Sequence, residues 1–161
     1  MKKIVLSAFV CLSIFACKKK DDTPVTTTPT TPTNHCTATV NGSAFTTGYF
    51  TLQGNGDHVY YDISADTGVL PGPTQPTIRL QGKVLPGIHA LARPVWPNEY
   101  YAVYKKNNVE YYAVSGSINI TAFDTSGTSI IKQFTATFNF NTDTISGTSY
   151  QVTSGDIYYL N

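Results

Sequence analysis

A chain of 161 residues has room for one domain. Its charged fraction of 13% is about half that of an ordinary soluble domain. From residue 35 onward six Lys and Arg face eight Asp and Glu, a net charge of −2. No basic run with interleaved aromatics occurs, which argues against nucleic acid as a partner.

The chain opens on Met1-Lys2-Lys3, then runs apolar from Ile4 to Ala16 apart from two serines. That run is about 13 residues, roughly 20 Å as a helix, where a bilayer core needs about 20 apolar residues. A basic start, a short apolar stretch and a small residue before a polar switch predict a secretory leader over 1–16. Ile14-Phe15-Ala16-Cys17 resembles the lipobox of bacterial lipoproteins. The resemblance implies cleavage before Cys17, a thioether-linked diacylglyceryl group with palmitate-type chains on its sulfur, and an amide-linked third chain on the new N-terminus. Each buried methylene contributes about 0.8 kcal/mol, so two or three chains would make the membrane a lasting partner. Lys20-Asp21-Asp22 is similar to the export signal of Bacteroidetes surface lipoproteins. It implies an outer-membrane, outward-facing protein, with a periplasm-facing one as the alternative.

Residues 17–34 follow as a tether. Thr23 to Asn34 reads TPVTTTPTTPTN, with too little apolar surface to offset ordering entropy. Its prolines favour an extended form of about 3.1 Å per residue. Of three cysteines, Cys11 leaves with the leader and Cys17 is the lipid acceptor, so Cys36 has no partner for an internal disulfide. Its place in an alternating run predicts an inward, apolar role.

From 35 to 161 the pattern is β. Strands are expected over 36–40, 45–53 with Gly48 as a bulge, 58–64, 77–81, 88–91, 99–105, 109–114, 117–123, 130–140, 145–152 and 157–160. Asn41-Gly42 is a strong hairpin signal, and Asn107-Asn108 marks another turn. Inward residues include Tyr61 and Ile63, Ile78 and Leu80, and Phe134, Ala136, Phe138 and Phe140. No convincing helix and no fixed repeat occur. About ten strands with turns every 8–12 residues predict an all-β fold, an antiparallel β-sandwich or flattened barrel.

The opening Thr37-Ala38-Thr39-Val40-Asn41-Gly42 with Phe45, the block 115–121 (SGSINIT), the Phe-alternating strand 134–140 and Val152-Thr153-Ser154-Gly155 resemble small Bacteroidetes lipoprotein domains of unknown function, the DUF6252-like family. The resemblance implies a β domain and brings no activity or catalytic residues.

Catalytic motifs are absent: no HExxH, GxSxG or P-loop occurs. His35, His58 and His89 are scattered, and Asp57, Asp62 and Asp66 lack EF-hand spacing, so no metal, cofactor or catalytic residue is assigned. A hydrolase using Glu99, Glu110 or Asp124 is the minor alternative. Eleven tyrosines include the doublets Tyr60-Tyr61, Tyr100-Tyr101, Tyr111-Tyr112 and Tyr158-Tyr159, each expected to place one ring inward and one outward. The candidate binding residues are Trp96, Tyr100, Tyr101, Tyr111 and Tyr112, an aromatic platform for a glycan or a surface protein. The expected role is a non-enzymatic binding or structural module, with a carbohydrate-binding or nutrient-capture subunit as the alternative.

Overall fold

The computed structural model describes residues 33–47, 49–54, 60–68, 74–94, 99–125 and 131–161. The expected leader and tether with Cys17 (residues 1–32), the expected bulge at Gly48, and Asp57, His58 and Trp96 lie outside them. The strands are β1 (His35–Val40), β2 (Ser43–Thr46), β3 (Tyr49–Gly54), β4 (Tyr60–Asp66), β5 (Thr77–Lys83), β6 (Gly87–Ala90), β7 (Tyr101–Lys106), β8 (Val109–Asp124), β9 (Gln133–Thr142) and β10 (Gln151–Leu160). All strand pairings are antiparallel. They run β2-β1-β10-β9-β8-β7-β5-β4-β3, and β6 is added to β8. The described residues contain no helix. The fold is the expected all-β one, a single antiparallel sheet curled into a flattened, half-closed barrel.

The curl follows from connectivity. β2 and β3 stand at opposite ends of the strand path, yet only residues 47 and 48 separate them in the chain. Eight steps across a flat sheet at about 4.8 Å each would put them about 38 Å apart. Three Cα–Cα steps span at most about 11 Å. The sheet must therefore bend until its ends meet. Side chains from distant strands then touch across the interior: Tyr61 of β4 lies 5.1 Å from Phe134 of β9, and Phe50 of β3 lies 6.0 Å from Tyr159 of β10, between ring centroids.

Inward positions alternate along the strands, as in Phe134, Ala136, Phe138 and Phe140 of β9 and Cys36, Ala38 and Val40 of β1, all buried. Three two-residue turns close one end of the barrel. Asn41-Gly42, Asn107-Asn108 and Ser146-Gly147 all have positive φ at both positions, the twist that matches antiparallel strands. At the opposite end the chain enters at Asn34, whose side chain donates to the Leu160 carbonyl at 3.0 Å and accepts from the Leu160 amide at 2.7 Å.

Three boundaries differ from the sequence reading. The stretch 45–53 is two strands, β2 on β1 and β3 on β4, because the chain changes partners where the sheet ends meet. The runs 109–114 and 117–123 are one 16-residue strand, β8. Its first four residues pair with β7 and its remainder with β9. Of the closing runs, 145–150 lies outside any strand, around the Ser146-Gly147 turn, and 151–160 is one strand, β10, with a register shift between Val152 and Gly155. The shift in β10 ends at Gly155, and one in β8 falls between Ala113 and Ser115, just before Gly116; each bends its strand and keeps it continuous.

Gly116 tests this corner. Its φ is +143°, and a Cβ there would stand 2.2 Å from the Asn139 carbonyl oxygen and 2.5 Å from Phe140 Cα, both backbone atoms. At Gly42, with φ +79°, a Cβ would meet open space. Gly42→Ala should cost only the backbone term of about 1–2 kcal/mol. Gly116→Ala should cost clearly more, about 3 kcal/mol or above, in urea unfolding; equal midpoints would mean that the bend tolerates a side chain.

Candidate functional site

Five strands, β3, β4, β5, β7 and the start of β8, present an outward face whose registers align polar side chains in rows. One row is Tyr49, Asp66, Thr77, Lys105 and Glu110; the next is Thr51, Ser64, Arg79, Val103 and Tyr112; the third is Gln53, Asp62, Gln81 and Tyr101. The alternation that sends Tyr61, Ile63, Ile78 and Leu80 inward requires these partners to face out. All of them except Tyr49, Gln81, Tyr101 and Tyr112 line a shallow trough of about 530 Å³. Val103, only 5% exposed, is its apolar floor.

Hydrogen bonds fix the trough's polar groups. Arg79 grips Asp62 with two bonds, Nε to Oδ1 at 3.2 Å and Nη2 to Oδ2 at 2.7 Å. The Asp62 carboxylate beside it raises the Arg79 pKa, keeping the guanidinium charged. The Thr77 hydroxyl donates to buried Asp66, and the Tyr101 hydroxyl donates to Gln81. The Tyr112 hydroxyl donates to Glu110 at 2.6 Å, and that carboxylate is the main cause that pushes the phenol above its usual range. Arg93 stacks over the Tyr112 ring at 5.8 Å and pairs with Asp143, which also accepts from the Tyr112 amide at 2.9 Å.

The candidate tyrosines divide. Tyr101 and Tyr112 stand on the outward face beside the trough. Tyr100 and Tyr111 are buried, at 8% exposure each. The Tyr100 ring stacks on His89 at 4.1 Å and fills the space a Cβ on Gly82 would need. Tyr111 packs edge-on against Tyr150 at 4.8 Å. The four rings therefore do not share one exposed patch, and Trp96 lies outside the described residues. Thr51, Gln53, Ser64, Arg79 and Gln81 were not singled out from the sequence. The available signal was opposite charge at outward positions of successive strands, Asp62 and Arg79, but only the register makes them neighbours.

The carboxylates named as hydrolase candidates are dispersed. Glu110 and Asp124 stand near the start and at the end of β8, and Glu99 pairs with Lys83. Within the trough Asp62 and Asp66 are four residues apart on β4, about 13 Å along a strand. Asp66 and Glu110 are three strands apart in their row, about 14 Å. Among the described residues no group of three or more His, Cys, Asp or Glu converges as a metal site.

Cys36 and His35 point to opposite faces of β1. Cys36 is fully buried, and its thiol is pushed up to about 12, mainly by burial and further by Asp156. His35 pairs with Asp156 at 2.7 Å and stacks on Tyr158, and its pKa is raised first by the Asp156 hydrogen bond. Maleimide at about pH 8 should label residue 36 only after unfolding, read by peptide mass mapping; labelling of the folded chain would contradict its burial. Because the folded His35 pKa is raised, its contribution to stability is complete below the unfolded value and is lost as pH rises through the folded one. The urea midpoint should fall between about pH 6 and about pH 8.5, and less so in His35→Gln. The pair is partly exposed, at 36% and 48%, so the effect should be small.

Protein-family models, curated proteins and solved structures were compared with the chain, and none matches.

Proposed function

We propose that the chain is a lipid-anchored outer-membrane protein, of the kind its DUF6252-like motifs suggest, whose β domain is a non-enzymatic module that binds polyhydroxylated ligands on the trough. The anchor is supported by the leader and the Cys17 lipobox. The tether joins the domain at Asn34, so a lipid on Cys17 would pull from the end that also holds Leu160.

The observation that carries the binding reading is the fixed Asp62–Arg79 pair amid Gln53, Ser64, Gln81 and the Tyr101 ring. Planar amide, carboxylate and guanidinium groups held in place offer donors and acceptors in set directions, which suits hydroxyl groups. A tyrosine ring beside them gives an apolar surface for the CH face of a sugar. The hydrolase alternative is weaker. Glycoside hydrolysis needs two carboxyl groups about 5–9.5 Å apart. By backbone spacing the three trough carboxylates stand farther apart, and each already accepts from a neighbour.

The test is a glycan array probed with the full chain purified in detergent, alongside Arg79→Ala and Cys17→Ser. The Arg79–Asp62 pair is half-exposed and contributes about 1 kcal/mol or less, so Arg79→Ala should fold. Glycan binding should drop at least tenfold in Arg79→Ala and persist in Cys17→Ser. Cys17→Ser alone should lose incorporation of an alkynyl fatty acid. Equal glycan binding by Arg79→Ala would remove the trough from the argument, and fatty-acid labelling of Cys17→Ser would remove the anchor.

A further inference from the structure

The geometry points to a second ligand site, separate from the trough, at the barrel mouth opposite Asn34: a pocket for the acidic terminal ring of a saccharide. The pocket holds about 300 Å³ and is lined by Phe45, Tyr104, Tyr150, Lys106, Ser43 and Thr67 among others. No trough residue belongs to it, so it stands whether or not the trough binds glycans.

Its floor is aromatic and braced. Tyr150 meets Tyr104 at 4.6 Å and 60° and Tyr111 at 4.8 Å and 77°, both edge-to-face. Such pairs contribute beyond their buried area and hold each ring's orientation. Phe45 closes the floor at 3% exposure. Ser43 and Thr67, both exposed, add hydroxyl-bearing side chains to its lining. The size is at the low end of ligand pockets, about 300–1,000 Å³, which suits one ring and excludes a long chain.

Lys106 selects the charge. Alternation along β7 puts it on the same side as Ala102 and Tyr104, at the mouth of the interior. Its ammonium lies 5.6 Å from the centre of the Tyr150 ring, and no carboxylate of the described residues lies within ion-pair distance of it. A half-buried cation with no counter-charge gains most from an anionic ligand group. A ring with an apolar face for the aromatic floor, hydroxyls for Ser43 and Thr67 and a carboxylate for Lys106 describes a uronic acid.

The full chain in detergent would be titrated with methyl β-D-glucuronide and with methyl β-D-glucoside, binding being read by ligand-observed NMR. The glucuronide should bind at least about tenfold more tightly than the glucoside. Lys106→Gln should lose that preference, while Lys132→Gln, at the start of the strand-bearing segment before β9, should keep it. Thermal melts of both variants would confirm that they fold. No preference in the native chain, a preference that survives Lys106→Gln, or one abolished instead by Arg79→Ala would each overturn the assignment.

Discussion

The short link between β2 and β3 is the constraint on which the rest depends. It joins the two ends of a nine-strand path through residues 47 and 48, and the backbone cannot stretch across a flat sheet of that width. Curling removes the conflict and at the same time gives the apolar face something to pack on. Phe134, Tyr61 and Ile63, fully buried, would face water on an open sheet. Each such side chain stabilises the curled form by about 1.5–3 kcal/mol on burial. β8 makes the complementary corner: it leaves β7 for β9 between Tyr112 and Ala113, and Gly116 just beyond lets its backbone lie close against β9.

Curling also assigns two environments to one residue type. Tyrosines at inward parity become core, and those at outward parity become edges of the polar face. The inward placement has a cost. The hydroxyls of Tyr61 and Tyr100 are buried without a hydrogen-bond partner, an expense of about 1–3 kcal/mol each. Ring packing offsets it, Tyr61 against Phe134 and Tyr100 against His89. Burial pushes both phenols above their usual range, so both stay neutral. Gly82 is what admits the Tyr100 ring, since any side chain there would collide with it.

On the outer face the charged groups orient more than they stabilise. Arg79 and Asp62 are half-exposed, and exposed pairs contribute about 1 kcal/mol or less. Their bidentate contact instead fixes two planar groups in the middle of the trough. Tyr112 is held three ways, by Glu110 at its hydroxyl, by Arg93 on its ring and by Asp143 at its amide. Lys106 contrasts with these: it lies over Tyr150, with no carboxylate of the described residues within ion-pair distance.

Much of the fold is legible in the sequence alone. Period-two alternation named the inward residues of β9 and β5, and Asn41-Gly42 named a hairpin, because both depend on neighbours a few residues away. The splitting of 45–53 was not legible, nor the fusion across Gly116, because a strand's partner is chosen by distant segments and a glycine reads equally as a break or a bulge. The candidate site was legible only in part. Tyr101 and Tyr112 could be named, but the rows that bring Asp62, Arg79 and Gln81 together exist only in the register. By itself the sequence determined which side chains alternate and where the chain turns, since these are local properties of the backbone. Only the tertiary structure decided which faces meet, which tyrosines are buried and where a trough and a mouth form, since these depend on how far the sheet must bend to join its own ends.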